Sequence, residues 1–256
     1  MLELIGDILN WAAAGVFFPL ALLPLGFLLS EKRPLLFWTA LTGSLVFAGV
    51  LFVHLTPILA LTPSLAKVIW FVSLFAATVA ATGIIGSRRL SSHLVSAFVA
   101  ITGTIGRTVM WLLLAMAVTQ FGVVILRYVF GLNYIFMQES ITYMHGAVFL
   151  LAGGYALLTD DHVRVDIFYR AASPRKKALT DLAGTYFLLF PVCLLLIWTG
   201  SPYVARSWAV GEGSNESSGI QALFIIKSFI PAFAILMMMA GFVIAARAVA
   251  TLKERG

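Results

Sequence analysis

Runs of 18 to 21 consecutive residues without a Lys, Arg, Asp or Glu recur seven times along this chain, at about 9–29, 36–55, 68–85, 109–126, 141–158, 182–200 and 228–246. A helix that crosses a bilayer needs about 20 such residues. Composition agrees: 61% of the residues are hydrophobic and 11% charged, with a mean hydropathy of +1.00, whereas soluble chains carry roughly 25% charged residues. A soluble globule is excluded. Seven spans take up roughly 140 positions, and what remains of the 256 residues is too little for a folded extramembrane domain. Any chemistry therefore sits in the bilayer or at its faces.

An eighth uncharged stretch, 90–106, has a different character. It holds Ser91, Ser92, His93, Ser96, Thr102 and Thr104, and its larger apolar residues Leu90, Leu94, Phe98, Ile101 and Ile105 fall on one helical stripe. Arg88, Arg89 and Arg107 bracket it, as expected of an amphipathic helix lying along a headgroup layer. With seven spans and the amino end outside, all but four of the 17 Lys and Arg fall on the inner side. Making 90–106 an eighth span removes that bias. The expected fold is an all-α, polytopic membrane protein of about seven transmembrane helices plus an interfacial helix near 90–106. It divides into a three-span extension (1–87), a connector (88–107) and a four-span module (108–256). The start MLELIGD lacks a basic leader, so the first helix is expected to remain rather than to be cleaved.

The net charge of +6 comes from basic residues scattered between apolar runs, which argues against nucleic acid and for basic inner loops. Cys193 is the one cysteine, so neither a disulfide nor a CxxC site can be built from this chain. Ionisable residues deep in a membrane are retained for use, yet His54, Arg127, His145 and Lys227 all lie near span ends. That disfavours a stand-alone ion-coupled carrier.

Four constellations carry the remaining polar chemistry. Arg127 and Tyr128 end one run while Gln138 and Glu139 open the next, placing a cation, an aromatic anchor and a carboxylate around a short loop. His162, Arg164 and Asp166 alternate with valines in HVRVD, which puts them on one side of an extended segment; the basic segment Arg175, Lys176 and Lys177 follows. Trp208, Glu212, Ser214, Glu216 and Lys227 cluster in and after a loop whose Gly211, Gly213 and Gly219 permit tight backbone. Gly153 and Gly154 allow close helix approach, by a helix of this chain or of a partner. Interfacial anchoring, a basic inner loop and a solvated acidic loop are the plainer accounts of the first three.

Residues from about 104 to 250 resemble the small membrane subunit of tripartite ATP-independent periplasmic (TRAP) transporters, with RYVF at 127–130, FMQES at 136–140, HVRVD at 162–166 and IP at 230–231 in the family's order. FMQESITYMHG, HVRVDIFYR and RSWAVGEGS look like the mannitol, chloroaromatic or 2-oxo acid subgroup, here with an added three-helix leader. The family's paired acids of the first loop appear as Gln138-Glu139. The resemblance implies a non-enzymatic scaffold in the bacterial inner membrane, with its amino terminus periplasmic and its carboxyl terminus cytoplasmic. It implies secondary active, sodium-coupled symport of an organic acid. The partners it implies are a large elevator-type membrane subunit that holds sodium and substrate, and a periplasmic substrate-binding protein. No cofactor, metal or substrate site is then expected in this chain. Arg127, Tyr128, Gln138, Glu139, His145, His162, Arg164, Asp166, Trp208, Glu212, Ser214, Glu216 and Lys227 are the docking or subunit-interface candidates. Arg88, Arg89, Arg107, Arg175, Lys176 and Lys177 are the candidates for contact with membrane lipid.

Two rivals keep the same topology. A retinal-type receptor would need a mid-span lysine beside a carboxylate, and Lys227 has neither the depth nor the partner in its run. A membrane enzyme would need its histidines at ligand spacing, and His54, His93, His145 and His162 are far apart.

Overall fold

A computed structural model describes Pro24, residues 88–162 and residues 169–254. The three runs expected at 9–29, 36–55 and 68–85 therefore lie outside the described residues, Pro24 apart, as do Arg164 and Asp166 of the HVRVD segment. Among the described residues the chain is all helical: α1 (Arg88–Tyr128), α2 (Ile135–Leu151), α3 (Gly153–Thr159), α4 (Pro174–Gly184), a π-turn (Thr185–Leu189), α5 (Phe190–Val210) and α6 (Leu223–Glu254). Four segments are long and apolar enough to cross a membrane: Ser92–Tyr128, Ile135–Thr159, Pro174–Val210 and Leu223–Lys253. They contain the runs expected at 109–126, 141–158, 182–200 and 228–246, extended at both ends.

The connector expected as a separate interfacial helix is corrected by α1, which passes through 90–106 and into the next run without a break. Where the stretch meets the next run, Thr108 Oγ1 donates to the Thr104 carbonyl at 2.9 Å and Arg107 Nε to the Gly103 carbonyl at 3.1 Å, so these polar side chains bond back to the preceding turn and leave the helix unbroken. Burial along the stripe is uneven, since Phe98 is buried while Ile101 is exposed.

Local signals set the other ends. Ser173 caps α4, accepting from the Lys176 N–H, with Pro174 in the first turn where its missing donor costs nothing. Gly131, at φ +67°, turns the chain after α1. Asp160 adopts the left-handed conformation that ends α3.

The chain forms two compact units. The described residues of the first are 99–162 and 195–240. Its packing uses glycines: a Cβ on Gly154 would lie 2.8 Å from the Leu236 carbonyl oxygen, one on Gly153 would meet the Phe233 ring, and one on Gly106 would overlap Tyr155. The Gly153-Gly154 pair thus packs α3 against α6 of the same chain. In the second unit, described over 88–98, 169–194 and 241–254 besides Pro24, Ala178 and Leu182 of α4 bury against Ala245, Ala248 and Val249 of α6. Phe98 meets Phe242 edge to face with ring centroids 5.2 Å apart.

Candidate functional site

One end of the first unit carries a polar cluster, where the 211–222 loop joins α5 to α6 beside the start of α2. Hydrogen bonds close this loop on itself. The Phe224 N–H donates to the Glu212 carbonyl at 3.3 Å at its base, and the Ser214 N–H to the Ile220 carbonyl at 3.2 Å nearer its tip. Gly211 supplies the left-handed turn after α5, at φ +59°.

Two carboxylates fix the loop to the helices. Glu139, at the start of the second turn of α2, accepts the Ile220 N–H at 2.6 Å through one oxygen and the Ser214 hydroxyl through the other. Tyr143, one turn on, directs its hydroxyl to the Ile220 carbonyl at 3.5 Å. A Cβ on Gly219 would lie 2.7 Å from Glu139 Oε2 and closer still to the Ser214 hydroxyl, so this glycine is needed for room rather than for its φ. The second carboxylate, Glu212, pairs with Lys227 Nζ at 2.5 Å. That hydrogen bond holds the Glu212 carboxyl below the usual glutamate range. The same ammonium stands 4.0 Å from the centroid of the Tyr203 ring on α5, a favourable cation–π arrangement.

Trp208 completes the cluster. Its indole N–H donates to Ser228 Oγ at 2.7 Å, and its ring meets Phe224 edge to face at 4.6 Å, which joins the last turn of α5 to the first of α6. Ser207 beside it is buried. Among the described residues no three His, Cys, Asp or Glu come together to hold a metal. What the arrangement provides is a rigid polar loop tied to three helices.

The other expected residues stand apart from this cluster. Gln138 bonds to Asn133, across the turn into α2. Arg127 is exposed at the end of α1, its guanidinium 6.0 Å from the Tyr128 ring, and Tyr128 is 78% exposed. Around them Val129, Phe130, Leu132, Tyr134 and Phe136 are all exposed, so the 129–134 connection is as apolar as the 211–222 loop is polar. Glu216 is engaged through its backbone, its N–H donating to Ser214 Oγ, and its side chain is exposed. His145 stacks on Phe149 at 6.2 Å, and His162 is exposed. Arg175 and Lys176 are exposed on α4, whereas Lys177 lies over the Tyr169 ring at 5.2 Å. Arg88 and Arg89 open α1.

The model of one family, the DctQ component of tripartite ATP-independent periplasmic transporters, matches residues 114–251. That is more than half of the chain. The chain belongs to this family. No curated protein and no solved structure gives a match.

As a TRAP small subunit it is a transporter component and not an enzyme, and a multi-pass protein of the inner membrane. Membership implies a large membrane subunit and a periplasmic binding protein as partners. The match begins within α1 and ends three residues before the end of α6, so it takes in every residue of the loop cluster. Sequence reasoning placed Glu139 with Arg127 and separated it from Ser214 and Lys227; the structure of this TRAP small subunit bonds it to Ser214, in the loop whose Glu212 pairs with Lys227. It also adds Tyr143, Tyr203, Ile220 and Ser228, which sequence reasoning missed. Two of these contribute a backbone amide or a common hydroxyl, which leave no mark in a sequence. The two tyrosines sit at span ends, where they pass for ordinary interfacial anchors.

Proposed function

We propose that this chain is the scaffold of a sodium-coupled, binding-protein-dependent importer of an organic acid, allied to the mannitol, chloroaromatic and 2-oxo acid group. It holds a large elevator-type subunit in place and contributes the 211–222 loop to the surface on which the periplasmic binding protein docks. In this reading the loop end of the first unit is periplasmic, the amino terminus lies on the same side and the carboxyl terminus is cytoplasmic. Sodium and substrate belong to the large subunit. The chain divides into a three-span extension, 1–87, and the family module, 108–256.

The observation that carries the reading is the double fixing of the loop by Glu139 and by Glu212 with Lys227. A docking surface held in shape before its partner arrives avoids the ordering cost of binding. The residues of the cluster bind one another, so the chain presents a shape and not a reaction centre, as a scaffold must.

Co-purification tests the assembly: the tagged chain, gently extracted from its native membrane, should carry a much larger polytopic protein in equal amount. A chain that purifies alone and still transports would overturn the proposal. Docking is tested separately in that complex. Glu139→Ala should weaken the response of uptake to added binding protein while leaving the large subunit bound, and an unchanged response removes the loop from docking.

A further inference from the structure

At the start of α4 the second unit presents a face unrelated to the loop cluster. Ala178, Leu182 and Thr185 are buried, and the first two pack on Ala245, Ala248 and Val249. Helical geometry then turns Lys176, Thr180, Ala183 and Phe187 to the opposite side, with Arg175 and Leu179 along one border. All six are exposed, Phe187 to 79% and Leu179 to 51%, and Leu188 beside Phe187 is exposed to 68%. One outward strip therefore changes over about 16 Å, at 1.5 Å per residue, from one guanidinium and one ammonium group to bare aromatic and aliphatic surface.

Charge on this strip is one-sided. Asp181, the acid of α4, accepts the Tyr169 hydroxyl at 2.9 Å on the flank that also holds Lys177 over the Tyr169 ring. Its carboxylate is thus engaged away from Arg175 and Lys176. Arg170, exposed in the turn before α4, adds a third cation to the same end.

We propose that Arg175 and Lys176 form a binding surface for the phosphate of an anionic phospholipid, whose acyl chain lies along Leu179, Ala183 and Phe187. Lipid fits both halves of the strip. A cation end answers a phosphate, and apolar side chains directly beneath it, on a helix long and apolar enough to cross a membrane, answer a hydrocarbon chain. A folded protein domain would meet exposed cations with a polar rim and would leave Phe187 and Leu188 uncovered deeper in the bilayer. A free phosphate ion would use the cations and ignore the strip.

The test uses the full chain, purified with the subunits that accompany it and placed in mixed phosphatidylcholine and phosphatidylglycerol vesicles. The immobilised fraction of spin-labelled phosphatidylglycerol is compared with that of spin-labelled phosphatidylcholine. The wild type should prefer phosphatidylglycerol, and the Arg175→Gln/Lys176→Gln variant should lose that preference, by up to roughly fivefold for each cation removed near the anionic surface. Arg175→Lys/Lys176→Arg, which keeps both charges, should retain it, as should Arg206→Gln, which removes an exposed cation elsewhere. Inorganic phosphate should not compete. Equal immobilisation of both lipids by the wild type, an unchanged preference in the glutamine variant, displacement by inorganic phosphate, or loss of a partner subunit with the lipid preference intact would each overturn the proposal.

Discussion

The carboxylate of Glu139 accepts the backbone N–H of Ile220 at 2.6 Å, across 81 residues of sequence. A hydrogen bond to a charged acceptor is stronger than a neutral one, and this one is reinforced by the Ser214 hydroxyl on the other oxygen. The loop therefore takes its position from a residue two spans earlier in the chain.

Glu139→Ala should free that end of the loop without unfolding the helices. Hydrogen–deuterium exchange is expected to show the Ile220 amide losing about tenfold in protection, while amides within α2 and α6 keep theirs. Glu139→Gln retains one acceptor and should fall between the two. Unchanged protection at Ile220 in the alanine variant would show that the backbone bonds of the loop suffice.

The Glu212–Lys227 pair gives the other end of the loop a pH dependence of known sign. Lys227 lowers the carboxyl of Glu212 in the folded protein, so the pair contributes fully above the ordinary glutamate range and its contribution is lost as the pH falls through the lowered value. Protection of the Phe224 amide, which donates to the Glu212 carbonyl, should hold at mildly acidic pH and decline only below the usual carboxylate range. In Lys227→Gln the decline should begin at higher pH. Coincident curves for the two proteins would sever the pair from loop order.

Gly154 and Gly184 should respond oppositely to alanine. A Cβ at Gly154 meets the Leu236 backbone, whereas one at Gly184 meets nothing within 4 Å. Gly154→Ala should destabilise the detergent-solubilised protein by about 1–3 kcal/mol, the usual cost of overpacking. Gly184→Ala, at the end of α4, should be neutral or stabilising by up to about 1 kcal/mol. Thermal unfolding followed by circular dichroism reads both, and similar midpoints would remove the close approach of α3 to α6.

Trp208 separates packing from hydrogen bonding. Trp208→Phe keeps a ring against Phe224 and loses the bond to Ser228, a loss of about 1 kcal/mol. Trp208→Ala loses both and should cost clearly more. Equal unfolding midpoints for the two variants would leave the ring contact without energetic weight.

The long apolar runs made the four described spans legible, because hydrophobicity over about 20 residues is a property of the segment alone. The continuity of α1 was not. Thr108 looks like a helix-breaking surface residue until its hydroxyl is seen donating to the Thr104 carbonyl within the helix. The Gly153-Gly154 pair announced a close approach, and only the fold could say that Leu236 makes it. For the loop cluster, Glu212, Ser214, Trp208 and Lys227 drew notice by their polarity at the edge of apolar runs. Their connection to Glu139 was hidden, since pairing over 75 residues or more depends on which helices are neighbours. Tyr203 was hidden for the same reason: nothing local to it foretells the ammonium of Lys227 over its ring.

The loop is closed at its base by Glu212 and Phe224 and again by Ser214 and Ile220, and beyond the second closure Asn215, Glu216, Ser217 and Ser218 are exposed. Its anchoring and its tip are thus built from different residues. Sequence can drift at the tip, and a short epitope inserted between Ser217 and Ser218 would be carried outward on a stem that keeps its own shape. Antibody access to such an epitope in intact spheroplasts would report which side of the membrane this end occupies, with the rest of the protein undisturbed.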